Sequence, residues 1–205
     1  MNKRTLTATL SVVMLCFCVS STSSAAGDSS AGKAISATCA GCHGADGKAI
    51  LPEYPNLAGQ HASYLAKQLT AYRDGERAHQ LMSPMAAALS DQDILDLAAF
   101  YSEMTPIDGV SGEENLTLGQ NIYRGGVTSA GIAACIGCHG PTGKGNPAAA
   151  YPSLNGQNIP YLAIQLKMFR SGERNNDPNE MMRGLAHRLS DAEIDALANY
   201  ATGLH

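Results

Sequence analysis

Polar and apolar positions along this chain follow a helical rhythm, and the rhythm is written twice. Over residues 61–74 and again over 160–171, apolar side chains recur at intervals of three and four, which predicts two helices with one apolar face each. Pro160 suits a first helical turn, and Gly75 and Gly172 suit C-terminal stops. Further helices are predicted to begin at Ser90 and Ser190. Ser190-Asp191-Ala192-Glu193 reads as a capping box, and Ser90-Asp91-Gln92-Asp93 as a weaker version of it. Short first helices are predicted near residues 32–38 and 118–124, each followed by a Gly- and Pro-rich loop. Little resembles a buried β-branched strand, so the fold class is all-α.

The repeat is explicit in the residues. Tyr54-Pro55-Asn56-Leu57-Ala58-Gly59-Gln60 returns as Tyr151-Pro152-Ser153-Leu154-Asn155-Gly156-Gln157. Tyr64-Leu65, Gln68-Leu69 and Arg73 match Tyr161-Leu162, Gln165-Leu166 and Arg170, and Gly75-Glu76-Arg77 matches Gly172-Glu173-Arg174. Leu89-Ser90-Asp91 with Ile94 and Leu97 returns as Leu189-Ser190-Asp191 with Ile194 and Leu197. Two copies of one domain are therefore expected, over 27–104 and 117–205. The connection, drawn at 105–116, overlaps a linker-like stretch 103–115 marked by Pro106, Gly109 and Gly112.

Residues 1–26 have the make-up of a cleaved export signal. Lys3 and Arg4 precede an apolar run over 6–19, and Ser23-Ser24-Ala25-Ala26 offers small residues for cleavage. The run is short for a bilayer span, which favours cleavage over a retained anchor. Cys16 and Cys18 would leave with it. The formal charge of the whole chain is −4, and it becomes −6 without Lys3 and Arg4. Residues 27–110 hold 10 acids and 5 bases, and residues 111–205 hold 8 acids and 7 bases. That imbalance gives the molecule a dipole able to orient it against a charged partner. No basic, aromatic-interleaved stretch suggests nucleic acid.

The four remaining cysteines all lie in Cys39-Ala40-Gly41-Cys42-His43 and Cys135-Ile136-Gly137-Cys138-His139. Two thiols three positions apart with an imidazole directly after the second suit covalent attachment of haem c. Cys39 and Cys42, and Cys135 and Cys138, would form thioethers, while His43 and His139 would ligate the irons. A thioredoxin-like site would sit between a strand and a helix of a parallel sheet. A zinc ribbon would not require a histidine after each pair.

The sixth iron position decides between electron transfer and chemistry on a small ligand. The candidates are Met82, Met85 and Met104 in the first copy and Met168, Met181 and Met182 in the second. Met82 and Met182 each stand eight residues before the serine that opens the last helix, whereas Met85 aligns with Leu185 and Met181 with Leu81. The repeat therefore selects Met82 and Met182, with Met85 as the rival. His61, His79, His187 and His205 lack histidine counterparts and read as surface or capping residues.

The ordered set of Cys39-Ala40-Gly41-Cys42-His43-Gly44, Pro55-Asn56-Leu57-Ala58-Gly59-Gln60, Met82 and Leu89-Ser90-Asp91-Gln92-Asp93, in tandem and ending in Gly203-Leu204-His205, resembles the dihaem cytochrome c4 family. The resemblance covers nearly all of the chain after the signal. It implies two tandem class I cytochrome c domains related by pseudo-twofold symmetry, each with a His/Met-ligated haem, in the bacterial periplasm or loosely attached to its membrane. It also implies electron carriage toward a terminal oxidase, from a quinol-oxidising complex or another donor. The carbonyls of Pro55 and Pro152 should accept a hydrogen bond from the proximal histidines. Gly32 with Phe100 or Tyr101, and Gly119 with Tyr200, should mark close helix crossings. The insert 125–134 departs from the pattern. The function expected is an electron-transfer protein and not an enzyme. The rival readings are a dihaem peroxidase-type enzyme, which needs an open iron, and a cytochrome subunit of a membrane redox complex.

Overall fold

Each half folds because one helix near its start and one at its end can approach closely. The structure, a computed structural model, describes residues 26–205. All of the expected export signal except Ala26 therefore lies outside the described residues. The first half contains α1 (Ser29–Ile35), α2 (Ala37–His43), α3 (Ala62–Arg73), α4 (Met82–Ala86) and α5 (Asp91–Ser102). The second contains α6 (Leu116–Gly125), α7 (Ile136–His139), α8 (Ile159–Ser171), α9 (Met181–Ala186) and α10 (Asp191–Thr202). Among the described residues, extended pairing is limited to two isolated bridges, Val127 with Ile132 and Asn146 with Tyr151.

Gly32 of α1 packs on Asp96 and Phe100 of α5, and Gly119 of α6 packs on Ala196 and Tyr200 of α10. A Cβ at either glycine would run into a backbone carbonyl oxygen of the facing helix, so these crossings require residues without a side chain. Of the two aromatics expected near Gly32, Phe100 makes the contact. The last helices start as the sequence indicated, and both capping boxes are complete, the Asp93 version included. Arg73 holds the first of these starts by bonding Asp91 and the Leu89 carbonyl, as Arg170 does with Asp191 and the Leu189 carbonyl.

The first helix of the first half ends at Ile35, earlier than expected, and a second helix carries the motif itself. In the second half the insert takes up the intervening space. Its Val127–Ile132 bridge closes a small loop that buries Ile132, leaving α7 only four residues.

The two halves meet through self-complementary pairs. Asn56 bonds Gln157, and the equivalent residues Ser153 and Gln60 bond each other. Contacts in which i meets j′ while j meets i′ are those a twofold axis generates. The connecting chain respects the same axis, with Pro106 seated on Gly59 and Ile107 on Gly156, at equivalent places in the repeat. Among the described residues, no helix is long and apolar enough to cross a membrane.

Candidate haem site

The motif residues share one helical face because three- and four-residue spacings bring side chains onto the same side. Cys39, Cys42 and His43 are so placed on α2. Cys138 and His139 lie on α7, with Cys135 at its N-cap. Both helices end at a glycine with positive φ, Gly44 at 74° and Gly140 at 76°, where the chain turns away into the following loop. That loop brings a proline carbonyl back to the imidazole. His43 Nδ1 donates to Pro55 O at 2.9 Å, and His139 Nδ1 to Pro152 O at 3.0 Å.

A carbonyl can only accept, so each Nδ1 carries the proton and each Nε2 keeps its lone pair for a metal. Burial lowers the pKa of both imidazoles below the ordinary 6.5, partly opposed by the proline carbonyls. The neutral, ligating form therefore prevails at neutral pH. Burial also raises the thiols of Cys39 and Cys135, the latter to about 11.

A cavity of about 740 Å³ runs through both halves, with all four motif cysteines and both motif histidines on its wall. Core residues Leu65, Leu97 and Tyr101 in the first half, and Leu162, Phe169 and Leu197 in the second, end at this wall. Tyr101 Oη is buried there with no hydrogen-bond partner among the described residues. A large apolar space, four thiols at attachment spacing and two oriented imidazoles fit two haem groups.

Met82 and Met182 also reach this wall, at the beginnings of α4 and α9, and both are half-buried. Met85 and Met181 reach it too but are 44% and 36% exposed, and Met181 Sδ accepts a 3.6 Å bond from Tyr151 Oη. Met104 packs with the first core, and Met168 Sδ accepts from Gln165 Nε2 at 3.8 Å. His79 caps the start of α4, its Nδ1 accepting from the amides of Leu81 (3.2 Å) and Met82 (3.3 Å). In the second half Asp177 does the same for α9, accepting from Arg183 N at 2.9 Å and Arg183 Nε at 2.7 Å. His61 opens α3 and donates from Nε2 to Lys144 O of the other half at 2.6 Å.

Arg77, Arg174, Gln68 and Gln165 also line the cavity, at the junction of the halves. The repeat displays each as a matched pair, yet a repeat records likeness between copies and not contact between them, so their meeting had no signal in the sequence.

A tandem helical fold with Cys-x-x-Cys-His on one wall of a shared cavity, twice over, defines a dihaem c-type cytochrome. A family model described as cytochrome c matches residues 29–105 and 119–204. The cytochrome c4 of Thiocapsa roseopersicina is 44% identical, over 87% of this chain and 93% of that protein. The crystal structure of reduced recombinant cytochrome c4 from Pseudomonas stutzeri superposes with a TM-score of 0.85 at 42% identity, covering 88% of this chain and all of that one. A protein of Stutzerimonas stutzeri named thiosulfate dehydrogenase electron acceptor is 40% identical, over 79% of this chain and 76% of its own. The chain belongs to the cytochrome c4 family, carries two covalently bound haem c groups and transfers electrons.

Proposed function

We propose that the protein shuttles electrons in the bacterial periplasm through two six-coordinate haems, one held by His43 and Met82 and the other by His139 and Met182. Each haem supplies a one-electron ferric/ferrous couple. The observation that carries the ligand set is its twofold recurrence: an imidazole locked by a proline carbonyl and a half-buried methionine on the same cavity wall, in both halves. Cys39 with Cys42, and Cys135 with Cys138, are the thioether anchors. Methionine sulfur is a soft neutral donor that favours the reduced iron and raises the potential. Caps on the methionine helices, His79 and Asp177, hold the sulfurs in place through a change of oxidation state, which keeps reorganisation small.

The acceptor in this reading is a terminal oxidase, with a quinol-oxidising complex as donor and loose membrane association between encounters. One observation favours a second donor. The relative named thiosulfate dehydrogenase electron acceptor covers most of this chain, which points to a periplasmic dehydrogenase feeding the same haems. Absorption of the ferric protein tests the ligand reading. A methionine-to-iron band for both haems supports it, and high-spin features at either would favour the peroxidase-type alternative. Stopped-flow reduction by each candidate donor, followed by reoxidation on oxidase-containing membranes, tests the route.

A further inference from the structure

Arg77 and Arg174 are each 5% exposed, and among the described residues neither forms an ion pair with a carboxylate. Their partners are neutral and drawn from both halves. Arg77 Nη1 donates to Gln68 Oε1 at 2.8 Å, and its Nη2 crosses the junction to Gln165 Oε1 at 2.6 Å and Tyr161 Oη at 3.5 Å. Arg174 repeats this from the other side. Its Nη1 donates to Gln165 Oε1 at 2.7 Å, and its Nη2 crosses to Gln68 Oε1 and Tyr64 Oη, both at 3.0 Å. Each guanidinium also stacks on an aromatic ring of its own half, Arg77 on Tyr72 at 4.6 Å and Arg174 on Phe169 at 4.4 Å.

Two buried cations sharing the same two amide oxygens repel one another, and amide dipoles compensate only part of the lost hydration. The arrangement calls for an anion. Of the carboxylates on the cavity wall, Asp177 is taken by Arg183 and Glu53 lies at the exposed rim. Tyr64 registers the surplus of positive charge: burial acts to raise its phenol, but Arg174 and Arg77 outweigh that and hold it below its ordinary value. Both guanidiniums lie on the wall of the cavity that takes the haems, and each haem brings two propionate carboxylates.

We propose that Arg77 and Arg174 form one anion site for the haem propionates, shared across the junction, so that each guanidinium sets the charge environment of both haems. This rests on the two covalent haems and not on the choice of methionine. The planar fork is what lets one residue serve both halves at once. A nearby cation disfavours ferric iron, so each arginine raises both potentials.

Spectroelectrochemical titration of the dihaem protein tests the proposal. Arg77→Gln should lower both midpoints, each by about 59 mV, equivalent to a tenfold change in the ferric-to-ferrous ratio for a one-electron couple. Arg174→Gln should do the same, and Arg77→Lys should recover most of the loss by keeping the charge. A shift confined to one haem, or none, overturns the sharing. If Arg77→Gln fails to take up haem, Gln68→Glu serves instead. It keeps the packing, sets a protein carboxylate against both cations and should lower both midpoints, and unchanged midpoints overturn the proposal. A tyrosinate absorption at neutral pH that vanishes in Tyr64→Phe would assign the counter-charge to the phenol and overturn it equally. The methionine-to-iron band, read in the same titrations, reports the ligand set independently.

Discussion

Asn56 and Gln157 hold each other by two hydrogen bonds across the junction of the halves, Asn56 N–H to Gln157 Oε1 at 2.8 Å and Gln157 Nε2 to Asn56 O at 2.9 Å. A side-chain amide here does what a neighbouring β-strand would do, pairing both backbone groups of a buried residue. Gln60 does the same for Ser153, both bonds at 2.9 Å. Gln157→Ala should therefore strand a buried N–H and a buried C=O together, at a cost of about 3 kcal/mol. Denaturation followed separately at each haem should show one shared transition in the parent and two in the variant.

The helix crossings are equally unforgiving. Gly32→Ala or Gly119→Ala drives a methyl group into a main-chain carbonyl that cannot swing aside. Each should destabilise its half by about 3 kcal/mol, read as an earlier denaturant midpoint. Gly125→Ala, at the other end of α6 where nothing lies within 4 Å of the added carbon, is the control and should change little.

Met82→Ala should abolish the methionine-to-iron band of the first haem and lower its potential by a sizeable part of the roughly 0.8 V that axial ligands span. Met182→Ala should do the same at the second. Met85→Ala should leave the first spectrum unchanged, and loss of the band there would transfer the ligand role to Met85.

Asp177 ties the pH dependence of the second half to a carboxyl, where the first half is capped by His79, an imidazole that burial and Arg77 hold below the ordinary 6.5. Burial acts to raise its carboxyl, but the hydrogen bonds from Arg183 dominate and hold it below the ordinary 3.8. A carboxylate depressed in the folded state contributes stability that is full above the unfolded value and fades as pH falls through the folded one. At pH 7, Asp177→Asn should loosen α9 and bleach the second haem's methionine band at lower denaturant than in the parent. Once the pH has fallen through that depressed value the two proteins should converge.

Much of this was legible in the residues because it is local or repeated. The haem motifs and the serine-led helix starts follow from spacing within one copy or from comparison of the two, whereas the proline carbonyls and the glycine crossings were expected from the family resemblance. The exact aromatic at Gly32 was not, since Phe100 and Tyr101 are adjacent and only the helix phase separates them. The helix carrying the first motif was missed because Thr38-Cys39-Ala40-Gly41 has no apolar stripe to announce it. The cross-junction bonds were out of reach for a different reason. Arg77 and Gln165 stand 88 positions apart, and Asn56 and Gln157 stand 101 apart, so no periodicity connects them.

The seating of Pro106 on Gly59 and of Ile107 on Gly156 bears on how such a molecule could arise. An interface in which matched residues exchange the same contacts is one that two identical polypeptides can make unaided, as a homodimer. Fusing them through a short tether that touches corresponding points on each raises the local concentration of one for the other to the millimolar range and leaves the geometry undisturbed. Once joined, the sides were free to drift apart, and Ser153, standing in the second half where the first has Asn56, records that divergence in a pairing that still closes.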